Sequence, residues 1–418
     1  MTDNYDTKSN LSKIFSNILR FVGPQLIPAI SGFFCMSIFS HRFGGEPLLA
    51  YGVGIAYGSI ISTIAMWGWG SIGAALVAPV EEKKRLEILW CSNKMVFLIT
   101  AVLLPFFLLL LIQSAPAQGK LVAILAFFTP VVLSFIPKWW FIATNRPAHL
   151  MKFIVAPQVA GNVAAIVLMI VDNSPIYFPL CLLIANTISV IYFFTSRKVW
   201  AYKSELKVLP RLKEQFHAFL IGAGAMLYTR TMLPIVTLVS TSIAVSFNQG
   251  IQLYSYWLLS VQVMGSSFQS FVNRDGKKSV EGTHKLTVLC LLIFGLVFGS
   301  ALWLLGPFFS KLVFGSSFAN TSIDFFLLGL TFLAICMVTA FISLYLNPLG
   351  YAYASSRATI VSGIIGVISI YLLTKYFGLH GAYVAFFGGE GIVAFSAIIY
   401  SIRYKKGKLK MPVMNMKL

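Results

Sequence analysis

Residues 197–214 read RKVWAYKSELKVLPRLKE, a polar stretch with six basic and two acidic side chains. The chain on either side is strongly apolar, IANTISVIYFFTS at 184–196 and FHAFLIGAGAMLYT at 216–229. Lys and Arg stay on the cytoplasmic side of inserted helices, so such a stretch between two apolar runs reads as an inner loop. It is the largest polar interruption in the sequence. The expected organisation is therefore a bundle over 1–196, a cytoplasmic linker over 197–214, and a second bundle with a basic tail over 215–418.

Composition requires a lipid environment. The 418 residues are 58% hydrophobic and 11% charged, against roughly 45–50% and about 25% in soluble domains. A water-soluble fold of this size would have too few charges to cover its surface. A helix needs about 20 mainly apolar residues to cross a ~30 Å hydrocarbon core. Twelve such runs occur, at 15–39, 48–79, 88–113, 121–143, 153–171, 175–195, 216–239, 242–268, 286–306, 324–346, 358–376 and 380–402. With the N-terminus placed in the cytoplasm, 27 of the 32 Lys and Arg fall in inner segments. Only four, Arg42, Lys120, Lys311 and Lys375, fall outside, and Arg230 lies within a span. The expected fold is an all-α polytopic membrane protein, six plus six helices around a central cavity, with both termini cytoplasmic. The run after Ile14 is too long for a cleaved signal core and reads as a first span that stays. The net charge of +19 is spread through short loops rather than gathered on one face, which argues against nucleic acid as a partner.

The opening helices of the two halves carry prolines, Pro24 and Pro28 in the first and Pro234 in the seventh. Proline removes a backbone hydrogen bond, and interruptions at matching positions of two halves point to a duplicated transporter with its site between them. No outer loop is long enough for a soluble domain, so any chemistry belongs in the bundle. A membrane enzyme such as a glycan polymerase or ligase, which would want a large outer loop, is disfavoured.

Arg230 falls near the middle of the seventh run, in AMLYTRTMLPIV (225–236). Arginine at mid-bilayer costs roughly 2.5–3.5 kcal/mol on insertion scales, so it should face protein or water. One reading makes it a ligand for an anionic substrate, because guanidinium grips phosphate oxygens through paired hydrogen bonds. The other pairs it structurally with Glu390 or Asp324. Glu390, in AFFGGEGIVAF (385–395), suits a coupling cation or proton, a counter-ion for Arg230, or a group reaching into a wet cleft. Asp324 stands at a helix start, where the dipole favours an acid; it is a second candidate for the coupling ion, with capping as the plainer reading.

The eighth run carries Asn248, Gln252, Ser255, Gln262, Ser266 and Gln269, all within about 60° of one helix meridian. Such a face either lines an aqueous cavity that binds sugar hydroxyls or serves as interhelical glue. Gln158 and Asn162 in the fifth run repeat the signal more weakly. Trp139, Trp140, Tyr192 and Trp200 read as an interfacial aromatic belt. WGWGSIG at 67–73 lacks a lysine, so its small residues read as helix packing rather than a phosphate loop. The five cysteines and five histidines are scattered without metal or disulfide spacing, and no cofactor is expected.

Three stretches resemble a known family: PKWWFIATNRPAHLMKFIV (137–155), LLGPFFSKLVFGSSFANTSIDFFLLGL (304–330) and YFGLHGAYVAFFGGEG (376–391). Their order and spacing over twelve spans resemble the O-antigen (Wzx-type) flippases of the multidrug/oligosaccharidyl-lipid/polysaccharide (MOP) exporter superfamily. IATNRP at 142–147 departs from that family's usual glutamine-glycine pair, and adds Arg146 as a second phosphate candidate. The resemblance implies a bacterial inner-membrane protein that moves an undecaprenyl-pyrophosphate-linked oligosaccharide to the outer leaflet by alternating access. It also implies coupling to H+ or Na+, contact with membrane lipids, and possible work beside polysaccharide polymerase and ligase machinery. In that reading Arg230 and Arg146 bind pyrophosphate, Asn248, Gln252, Gln262, Gln158 and Asn162 bind glycan, and Glu390 and Asp324 couple the ion. The rivals within the superfamily are a multidrug or cation efflux antiporter, which would want more acids on its cavity faces, and a lipid-linked peptidoglycan precursor flippase.

Overall fold

The computed structural model describes residues 26–70, 73, 77, 80–144, 147–196, 215–272, 277–315 and 320–408, and these are helical with short connections. The first half holds α1 (Leu26–Phe43), α2 (Gly45–Ala65), α3 (Glu82–Ser114), α4 (Lys120–Leu133), α5 (Ala156–Asp172) and α6 (Tyr177–Ser196). The second holds α7 (Phe216–Thr229), α8 (Met232–Val239), α9 (Thr241–Val272), α10 (Lys277–Phe314) and α11 (Ser322–Val338). The final helical stretch, Ala352–Lys405, breaks at Gly378 into α12 (352–377) and α13 (379–405). Gly378 has φ 61° and ψ −139°, a conformation that a Cβ makes costly.

Among the described residues, ten segments are long and apolar enough to cross a membrane. The last of these makes two crossings because of the break at Gly378, and α9 adds the twelfth although its polar residues keep it out of the apolar set. The protein is a multi-pass membrane protein. Its perimeter is apolar: Val102, Val171 and Leu304 are more than two-thirds exposed, as suits side chains that meet lipid.

Within each half the helices approach through glycine. A Cβ on Gly54 or Gly58 of α2 would lie 2.2 Å from the Ala123 carbonyl oxygen or 2.1 Å from that of Phe127, both on α4. Gly299 of α10 and Gly329 of α11 face each other so closely that a Cβ on either would sit 2.8 or 2.5 Å from the other's carbonyl oxygen. Lipid tails are as apolar as leucine, so dispersion at such close contacts drives helix association. Gly58→Ala is expected to lower thermal stability in detergent. Backbone must move to admit the methyl, and overpacking costs about 1–3 kcal/mol, more than the ~1 kcal/mol of helix propensity gained. An unchanged melting temperature would contradict the α2–α4 contact.

Three expectations are corrected. The second span ends at Ala65, not near 79, because the chain turns at Met66–Gly68, with Trp67 at φ 42° and Gly68 at φ 85°. Trp139 and Trp140 are 5% and 2% exposed rather than belted at a lipid interface; Trp139 stacks on Trp69 at 5.0 Å between centroids. A Cβ on Gly73 would meet the Trp139 ring at 2.7 Å and one on Gly68 the Phe219 backbone nitrogen at 2.7 Å, so these two glycines of WGWGSIG do serve packing. Pro28 sits in the first described turn of α1, which runs unbroken to Phe43. Pro24, Trp200 and the 197–214 linker lie outside the described residues.

Candidate functional site

The seventh span is broken where its sequence demands it. Pro234 has no N–H to offer the Arg230 carbonyl four residues earlier. The helix stops at Thr229, Arg230 forms its C-cap, and a new helix starts at Met232. The Thr231 hydroxyl donates back to the Leu227 carbonyl and steadies the break. Arg230 thus stands between the C-terminal end of one half-helix and the N-terminal end of the next.

The Arg230 side chain is exposed. Arg230 forms no ion pair with Glu390 or Asp324 and no side-chain hydrogen bond among the described residues. Its charge is available.

Glu390 takes a different partner. It is 4% exposed and accepts a 3.2 Å hydrogen bond from the Tyr228 hydroxyl. Tyr228 sits two residues before Arg230 on the same span. Room for its ring comes from two glycines: a Cβ on Gly366 of α12 would lie 2.7 Å from the Tyr228 Cβ, and one on Gly389 of α13 would lie 3.2 Å from its ring. Sequence periodicity gave no sign of this pairing, because its two members are 162 residues apart.

Asp324 caps α11. Its carboxylate accepts from the Thr321 backbone N–H at 2.8 Å and from the Thr321 hydroxyl at 2.9 Å, completing a capping box. Its other oxygen lies 2.7 Å from His380 Nδ1, just past the Gly378 break. Every contact of Asp324 here is explained by holding a helix start to the α12–α13 corner.

The α9 stripe changes role along its length. Asn248 is buried and donates to the Leu48 carbonyl of α2 at 2.9 Å, while Gln252 reaches Asn248 at 3.5 Å. A Cβ on Gly52 would lie 2.3 Å from Asn248 Oδ1. This upper part of the stripe fastens one half to the other. Farther along, Ser255 and Gln262 are exposed and Ser266 half-buried. Asn162 of α5 is buried and donates to Ser31 of α1 at 2.9 Å; Gln158 is half-buried. Arg146 lies outside the described residues, as does the side chain of Gln269. A separate groove of about 810 Å³ follows one face of α5, lined by Ile27, Val155, Ala156, Val159 and Val163 with Lys152 at one end; it contains none of the predicted site residues.

Between the halves, among the described residues, α2 packs against α7, α8 and α9, and Phe33 of α1 meets Tyr256 of α9 at 5.6 Å between ring centroids. At one end Gly45 abuts Val245, and at the other Trp67 stacks on Phe219 at 4.0 Å.

No family model matches the sequence, and no curated protein matches it significantly. Solved structures do. A MATE protein crystallised in complex with MaL6 superposes with a TM-score of 0.67 at 13% identity, over 94% of this chain and 96% of that one. A mutant of the Vibrio cholerae MATE transporter VcmN gives 0.63 at 13% identity, over 98% and 100%. An inward-facing multidrug resistance MATE family transporter of the MOP superfamily gives 0.63 at 13% identity, over 94% and 98%.

Proposed function

From a chain that has the MATE fold along nearly its whole length, we propose a flippase for an undecaprenyl-pyrophosphate-linked oligosaccharide, with Arg230 as the pyrophosphate ligand and Glu390 as the cation-coupling group. The observation that carries the reading is the exposed guanidinium at the break of the seventh span, which has no ion pair among the described residues. A cation at bilayer depth without a protein counter-ion is costly, and an anion arriving from outside the protein offsets that cost only while it is bound. Arginine suits the planar, paired geometry of phosphate oxygens better than lysine. Half-helix ends at a break are where transporters of several folds hold ionic substrate groups. The exposed part of the α9 stripe, Ser255 and Gln262, supplies hydroxyl and amide groups of the kind that bind sugars. The isoprenoid tail stays in the lipid.

Efflux of a cationic compound is the second reading, favoured by one observation: Glu390 is a buried acid with no basic partner among the described residues. The two readings separate in a strain deleted for the gene. Loss of surface glycan, restored by the intact gene with drug sensitivity unchanged, is the expected result. Unchanged glycan with raised drug sensitivity would replace the flippase by the efflux pump.

A further inference from the structure

We propose that the groove along α5 seats the isoprenoid chain of a lipid-linked substrate, with Lys152 holding its phosphate end at the inner side before that end reaches Arg230. This rests on the substrate class proposed above and adds where the tail lies. The groove of about 810 Å³ follows the exposed face of α5, with Ile27 of α1 across from it. Ala156, Ala160 and Val163 on that face are exposed, while Asn162, Ala165 and Met169 on the opposite face are buried. Among the described residues, every side chain that lines the groove is apolar except Lys152.

The polar end is built by the sequence. Pro157 has no N–H to give the Phe153 carbonyl, and the Ser189 hydroxyl of α6 donates to that carbonyl at 2.5 Å instead. The turn just before it, Met151–Val155, widens to i+5 hydrogen bonding, a distortion that recurs at functional sites. Lys152 stands on this wide turn. Its ammonium lies 4.6 Å from the centre of the Tyr192 ring and 5.7 Å from that of Phe153. It forms no ion pair among the described residues. The rings position the cation and leave its N–H donors for an anion.

Length selects the occupant. The charge pattern assigns Lys152 to the inner side. Ala164, at the far end of the lining, lies twelve residues beyond it, about 18 Å along the helix axis. Half of a ~30 Å hydrocarbon core is about 15 Å, so the groove runs past the bilayer midplane. A phospholipid acyl chain belongs to one leaflet and leaves the far part of the groove unfilled. A long isoprenoid whose phosphate sits on Lys152 continues through it. An apolar chain gains little by exchanging lipid for valine and alanine, so selectivity comes from the chain's length together with its anionic end.

The test is photolabelling of the purified full chain in phosphatidylcholine nanodiscs, with undecaprenyl phosphate that carries a diazirine in its chain. Adducts, mapped by peptide mass, are expected within 156–164. Unlabelled undecaprenyl phosphate should compete them away, and phosphatidylglycerol at the same mole fraction should not. Lys152→Gln should weaken that competition about fivefold, the share one interfacial cation contributes to holding an anionic lipid. Lys152→Arg should keep it. Ala160→Phe, at an exposed position, should remove the adducts with the melting temperature unchanged. Equal competition by phosphatidylglycerol would make this a seat for ordinary boundary lipid and overturn the proposal. Adducts spread evenly over the exposed helices would overturn it too, as would a Lys152→Gln protein with unchanged affinity. The readout involves neither glycan nor transport, so its failure removes the groove and leaves the deletion-strain result standing.

Discussion

Arg230→Ala is expected to abolish export while leaving the protein as stable as the parent or more so. Truncating one member of a desolvated charge pair costs on the order of 2–5 kcal/mol, which is roughly 30-fold to several thousand-fold in affinity. No protein group would lose a bond, because Arg230 has no side-chain partner among the described residues, and removing a charge from bilayer depth relieves an insertion cost. Arg230→Lys keeps the charge and loses the fork, so it should retain partial export. The checks are surface glycan in the deletion strain, expression level, and melting temperature in detergent. A structural arginine would give the opposite pattern, with falling stability and activity lost only in proportion to protein. Full export by the alanine variant at normal expression would remove the phosphate-binding role.

The second large effect is a reversible lock. A Cβ built on Gly45 lies 3.7 Å from the Val245 Cβ, inside the ~3.5–4.5 Å range that disulfides span. Gly45 opens α2 in the first half and Val245 lies near the start of α9 in the second. The charge pattern assigns both to the outer side, where thiols oxidise readily. The double variant Gly45→Cys/Val245→Cys should form a crosslink between halves and export nothing until a reductant is added. The controls are the reduced double variant and Val245→Cys alone, both of which should work, since Gly45→Cys by itself would press its Cβ to 2.5 Å from Val245 Cγ1. Normal export by the fully oxidised double variant would mean that the halves need not part at this edge.

How much of this could be read beforehand differs from residue to residue. The long apolar runs and the alternation of Lys and Arg were plain, because lipid imposes both on composition alone. The boundary expected between 376 and 380 is a real break at Gly378. The end of the second span was missed, because Trp67 and Gly68 make the turn through their φ angles without lowering the apolar content of the run. Arg230 and Glu390 were visible as charges out of place, but their partners were not. Hydropathy records that a group is buried and says nothing of what it touches, so Tyr228 rather than Arg230 beside Glu390 had to come from the packing. The α9 stripe was legible as one face, while its division into a fastened part at Asn248 and an open part at Gln262 depends on where α2 happens to lie.

The polarity of α9 also bears on how the chain is assembled. A helix that falls short of the apolar threshold met by ten other segments gains little by partitioning into lipid alone, since each mid-helix polar group opposes insertion. It has to enter as part of a hairpin or be sheltered by helices made after it. The eighth crossing is therefore expected to be fixed only together with α10, and substitutions that make α10 less apolar should misdirect α9 as well.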